Sequence, residues 1–151
     1  MADRDSDVSE GFVLDSSVAL AWAFEDEANA YADAVLRQLR TARAHVPSIW
    51  PVEVANGLLV AERRGRATRA QTVTSVELFE SVSVFLDDQT PALALGAILE
   101  LARAQNLAVY DAAYLELALR MGIPLATLDG RLRAAAAAVG VALYAPAERA
   151  E

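Results

Sequence analysis

Two hydrophobic periods alternate along the chain. Short apolar runs of strand character occur at "FVLD" (12–15), "AHVPS" (44–48), "VSVFL" (82–86), "PLATLD" (124–129) and "VALYA" (141–145). Between them lie longer stretches with helical spacing. "SSVALAWAF" (16–24) starts with Ser16 or Ser17 as a cap, and residues 27–43 repeat apolar positions at Tyr31, Val35 and Leu39. Residues 51–65 begin with Pro51 and end with Gly65, the usual helical asymmetry. Thr68 opens a helix over 68–81, and Thr90 with Pro91 opens another over 90–106. Residues 112–122 and 131–140 complete the set, each ending at a glycine. "LAVY" (107–110) fits either an extended segment or a strand.

Strands separated by helices of these lengths predict an α/β domain with a mostly parallel sheet flanked by helices. One domain spans 11–145, with an acidic tail at 1–10 and a short tail at 146–151. A 55% hydrophobic chain of 151 residues has enough apolar surface for a core. No apolar run reaches the length of a membrane span, and the N-terminal segment lacks the basic start of a signal peptide. These features fit a cytoplasmic protein with no membrane partner.

Composition then removes whole chemistries. There is no cysteine, so thiolate ligands, disulfides and cysteine nucleophiles are excluded. A single histidine, His45, excludes His-rich zinc sites. Every basic side chain is arginine, so neither a P-loop lysine nor a Schiff-base lysine exists. The formal net charge of -8 argues against a nucleic-acid binder unless cations neutralise part of it.

The informative polar positions are acids where apolar runs end. Asp15 closes "FVLD" and Asp129 closes "ATLD", so both face the crevice beyond the carboxyl ends of the strands, where α/β sheets bind ligands. Asp111 lies where an apolar run meets a helix, and Glu53 sits in the first turns of its helix with Asn56 on the same face. Taken singly, each has an ordinary reading: Asp15 and Asp111 as helix caps, Asp129 as a turn residue, Glu53 as a solvated helix residue. Taken together, they converge on one rim. Two carboxylates about 5 Å apart repel by roughly 3 kcal/mol at an effective dielectric near 20, so such a cluster holds protons or a cation. All-oxygen ligation selects Mg²⁺ or Mn²⁺, a setting suited to phosphodiester hydrolysis.

The segments "FVLDSS", "VEVANGL", "VYDAAYLELA" and "ATLDGRL" resemble, in order, the four signature segments of PIN-domain ribonucleases, and the likeness is greatest to VapC-type toxins of toxin–antitoxin pairs. The resemblance covers 11–145. It implies a three-layer sandwich with a five-stranded sheet of order 3-2-1-4-5. It implies that Asp15, Glu53, Asp111 and Asp129 form the catalytic and metal-binding quartet, directly or through water, of a Mg²⁺- or Mn²⁺-dependent endoribonuclease that uses a metal-activated water. It further implies a homodimeric toxin paired with a VapB-like antitoxin. Ser16, Asn56 and Thr127 match supporting positions, and Arg131 is a candidate phosphate contact. Arg63, Arg64, Arg66 and Arg69 form the densest basic cluster, with a solvated helix end as the alternative. His45, Trp22 and Trp50 are assigned to packing. A housekeeping PIN nuclease without an antitoxin, and a PIN-like module that binds RNA or a partner without cutting, are the competing readings.

Overall fold

The computed structural model describes residues 11–147. The tail expected at 1–10 lies outside the described residues, as does all but Pro146 and Ala147 of the tail at 146–151.

Four strands form one parallel sheet: β1 (Phe12–Leu14), β2 (Ala44–Pro47), β3 (Val84–Asp87) and β4 (Leu125–Ala126), in the order β3-β2-β1-β4. β1 is central. Phe12 pairs with Ala44 on one side, and Leu14 pairs with Ala126 on the other. All three of its side chains are fully buried, as expected of a parallel strand covered on both faces.

The fifth strand expected at 141–145 is not formed, and the five-stranded sheet is corrected to four. The segment does return to the outer edge of β4, but only a single parallel bridge, Leu125 to Leu143, is made. The ladder cannot lengthen because the Tyr144 carbonyl is taken by the Tyr31 hydroxyl at 2.7 Å, and Pro146 has no N–H to donate. The Tyr144 ring stacks on Phe12 at 4.0 Å and seals that end of the core.

The helices are α1 (Ser16–Ala23), α2 (Ala30–Gln38), α3 (Trp50–Arg63), α4 (Arg69–Ser81), α5 (Thr90–Leu93), α6 (Leu99–Gln105), α7 (Val109–Met121) and α8 (Gly130–Val139). They flank the sheet in two sets. α1 packs with α2, α3 and α4, while α7 lies on β1, β2 and β4 and meets α6 and α8. A Cβ at Gly57 would stand 2.6 Å from Leu20 Cδ1, so glycine permits the close approach of α3 to α1. Tyr114, Leu115 and Leu117 of α7 are fully buried against the strands, each contributing about 2 kcal/mol of apolar burial.

Several boundaries move for local reasons. The helix expected over 27–43 starts only at Ala30, where Asn29 caps Ala32 N–H at 3.0 Å, and a 3₁₀ turn, Glu25–Glu27, precedes it. The helix expected over 90–106 is broken by a π-helical segment, Ala94–Ile98, between α5 and α6. Gln89, rather than Thr90, holds the N-cap position of α5, and the Thr90 hydroxyl instead accepts the Ser48 N–H. Neither Ser16 nor Ser17 is the N-cap of α1; Asp15 is. "LAVY" is neither strand nor wholly extended, because α7 already begins at Val109. Thr68 caps α4 as expected, in a reciprocal pair with Gln71. Among the described residues, no single helix is long and apolar enough to cross a membrane.

Candidate active site

Asp15 follows β1 directly and is 3% exposed. Although it occupies the N-cap position of α1, its carboxylate caps no helix N–H. Instead Oδ2 accepts two hydroxyls, Ser17 Oγ at 2.6 Å and Thr127 Oγ1 at 2.7 Å. Those hydroxyl oxygens in turn accept the backbone N–H groups of Leu128 and Asp129, each at 3.0 Å. The chain after β4 is thereby stitched onto the start of α1. This also explains why the strand expected over 124–129 forms ladder only at Leu125 and Ala126: the donors beyond it serve side chains.

Asp129 is the N-cap of α8 and accepts the Leu132 N–H at 3.3 Å. Asp111 lies in the first turn of α7, two residues inside the helix rather than ahead of it. Glu53 lies in the first turn of α3 and accepts the hydroxyl of Tyr114, a fully buried residue of α7. All four acids thus stand at helix starts, where the positive dipole end favours negative charge.

The acids share one electric field. Burial pushes the Asp15 carboxyl up, with Asp129 adding to it and the Ser17 and Thr127 hydroxyls opposing. Asp111 is pushed up to about 6 by burial and then by Asp15 and Asp129. Glu53 is raised by burial, partly offset by the Tyr114 hydroxyl, and raised again by Asp15 and Asp111. Burial and the adjacent Glu53 push the Tyr114 phenol up, so it remains a hydrogen-bond donor across the working pH range. None of the ion pairs among the described residues involves any of these acids.

The supporting residues divide. Thr127 is buried and bonded to Asp15. Ser16 lies beside Glu53 and Tyr114, where its hydroxyl offsets part of the upward push on both. Asn56 and Arg131 are exposed and hydrogen-bond to none of the four acids. Arg66, from the basic cluster, is bound to Asp26 at 3.1 Å and Glu27 at 2.5 Å and covers the Phe24 ring. Trp22 donates its ring N–H to the Ala32 carbonyl, and Trp50 packs edge-on to Phe79. Sequence reasoning missed Ser17 as a carboxylate partner and Tyr114 altogether. Ser17 reads as a helix cap, and Tyr114 reads as one more apolar position of a core helix.

Among the described residues, no three acidic or histidine side chains stand close enough to ligate one ion together. The donor set is nonetheless that of a hard cation: oxygens only, with a surplus of negative charge and no arginine paired to it. Mg²⁺ fits this pattern, because it keeps several waters and takes only one or two carboxylates directly. Asp15, Glu53, Asp111 and Asp129 are the residues that would hold it, directly or through water.

A parallel α/β sheet with uncompensated carboxylates beyond the ends of its central strands places an acidic cluster at the edge where such sheets bind ligands. The PIN-domain family model matches residues 12–138, and the chain belongs to the PIN-domain family, whose members are generally nucleases. Among solved structures the chain is similar to the crystal structure of PAE2754 from Pyrobaculum aerophilum. The two share 25% identity and a TM-score of 0.63, over 85% of this chain and 80% of that one. No curated protein matches the chain.

Proposed function

We propose that this PIN domain is a Mg²⁺- or Mn²⁺-dependent endoribonuclease acting as the toxin of a VapBC-type pair. In this reading it is a cytoplasmic homodimer held inactive by a VapB-like antitoxin. The observation that carries the nuclease reading is the convergence of Asp15, Glu53, Asp111 and Asp129 from four separate helix starts, without a cationic partner among the described residues. The toxin assignment and its partner rest on the resemblance of the four signature segments to VapC-type toxins.

When bound, the cation polarises the scissile phosphate, acidifies a water and stabilises charge on the leaving oxygen. The chain's own residues prepare the place for it. Ser17 and Thr127 fix the Asp15 carboxylate in one orientation, so little reorganisation is needed on binding. The Leu132 N–H fixes Asp129 in the same way. Glu53 and Asp111 carry carboxyls raised above the ordinary range, first by burial and then by the neighbouring acids. Holding a cation at these acids would also offset part of the net charge of -8 that otherwise repels RNA.

Purified protein should cleave single-stranded RNA in Mg²⁺ and stop in EDTA, and Asp15→Asn should abolish cleavage with an unchanged circular dichroism spectrum. Cleavage that survives Asp15→Asn would assign the activity elsewhere. Induced expression should arrest growth, and coexpression of a small adjacent reading frame should relieve it; relief by no neighbour favours a housekeeping nuclease. The spacing of the acids, with no three placed to hold one ion directly, also suits a module that binds RNA without cutting. Metal-independent RNA binding without cleavage would establish that second reading.

A further inference from the structure

Tyr114 is fully buried, yet its hydroxyl does not serve the core. It reaches from α7 to α3 and donates to Glu53 Oε1, 61 residues away in sequence. Its neighbours Leu115 and Leu117 are fully buried without any polar atom to satisfy, and a phenylalanine would fill the Tyr114 position with less desolvation cost. The same helix carries Asp111 one turn earlier, so α7 supplies one cleft acid itself and orients a second through Tyr114. Glu53 lies on α3, where a Cβ at Gly57 would meet the Leu20 side chain of α1. The phenol is the stronger of the two hydroxyl influences on the Glu53 carboxylate, the Ser16 hydroxyl being the weaker.

We propose that Tyr114 is a positioning residue that holds Glu53 at the edge of the acid cleft and thereby sets the affinity of the cleft for a divalent cation. The proposal rests on the metal-dependent reading above. Its mechanism is orientation through a neighbour: the phenol occupies Oε1, and Oε2 is the oxygen that would remain for the hydrated cation. Removing such an outer partner weakens metal binding by roughly 10- to 100-fold in other metal sites.

The test is Mn²⁺ binding to the full chain, read as free Mn²⁺ by electron paramagnetic resonance. Tyr114→Phe should weaken binding about tenfold, while its melting temperature in EDTA stays within a few degrees of wild type. Glu53→Gln should weaken binding similarly, and Tyr114→Phe added to it should change nothing more. A purely structural tyrosine would give a loss that persists in the Glu53→Gln background, and that result overturns the proposal. So does wild-type affinity in Tyr114→Phe. A measurement on the unaltered protein guards against a variant that does not fold. With tyrosine labelled at ¹³Cζ, the chain's 4 tyrosines give separate signals, and that of Tyr114 should move on Mg²⁺ saturation. A Tyr114 signal that ignores saturating Mg²⁺ overturns the proposal. Asp15→Asn separates the two levels: undiminished Mn²⁺ binding there, or none in wild type, overturns the metal reading and this inference with it. Binding lost in Asp15→Asn but intact in Tyr114→Phe overturns the inference alone.

Discussion

Asp87 ends β3 much as Asp15 follows β1, yet their surroundings are opposite. Arg120 of α7 grips Asp87 with two parallel bonds of 3.0 and 2.8 Å and also reaches Glu116, one turn earlier, at 2.8 Å. Asp87 is consequently held below the usual carboxylate range, first by its hydrogen bonds from Arg120. Asp15, Glu53 and Asp111 are pushed the other way. The chain therefore has arginine available for strand-end acids and places it at one cluster only. Around Asp15 it supplies hydroxyls, which orient a carboxylate without neutralising it. The paired cluster supplies stability, and in the proposed reading the unpaired one takes a cation.

The largest way to break this contrast is Arg120→Ala. It strands two largely buried acids and should cost about 3 kcal/mol in urea unfolding. The pH dependence carries a sign. A carboxyl lowered in the folded state adds stability above its unfolded value near 3.8, lost as pH falls through the folded value. The wild type should therefore lose that contribution below about pH 4, and the variant should have none to lose. An Arg120→Ala protein as stable as wild type at pH 7 would remove the structural half of the comparison.

Thr127→Val should come next. It takes one donor from the buried Asp15 carboxylate and an acceptor from the Asp129 N–H, and should cost about 2 kcal/mol. Because the hydroxyl also orients the cleft, RNA cleavage should fall more steeply than the melting temperature.

Asp111→Asn is the smallest effect and has the opposite sign. The folded carboxyl is raised from 3.8 to about 6, so between those values the folded chain binds a proton that the unfolded chain has released. Stability then falls as pH rises through that window, and the loss is complete above about pH 6. Asp111→Asn in EDTA at pH 8 should therefore be more stable by about 1 kcal/mol, after allowance for solvent screening. Saturating Mg²⁺ should erase the gain by stabilising the wild type. A destabilised variant in EDTA would show that burial and the neighbouring acids do not strain this carboxylate.

The contrast between the clusters also explains what the sequence disclosed. Asp15 and Asp129 were legible because an acid ending a short apolar strand run has few places to go in a parallel sheet. The parallel pairing was legible because helix-length connections favour it, whereas the strand order came only from the resemblance to PIN-domain ribonucleases. The partners were not. Thr127 meets Asp15 across 112 residues and Tyr114 meets Glu53 across 61, and no local pattern encodes such pairings. Asp87 escaped notice because the strand was expected to stop at Leu86, while the structure carries β3 one residue further, onto the acid. The fifth strand failed through competition for backbone partners: the Tyr31 hydroxyl claims the Tyr144 carbonyl that a longer ladder would need. Helical periodicity over 90–106 was correct in kind, but it does not distinguish an α from a π turn, so the Ala94–Ile98 segment was invisible.

The central claim is that the unpaired acids, and not the arginine-bound ones, take up a divalent cation. Anomalous diffraction from a crystal soaked in Mn²⁺ tests it directly. The account predicts a peak in ligating contact with Asp15, absent in Asp15→Asn, and no peak beside Asp87 and Glu116. A fully soaked crystal with no peak at Asp15, or with its strongest peak at the arginine-bound pair, would contradict it.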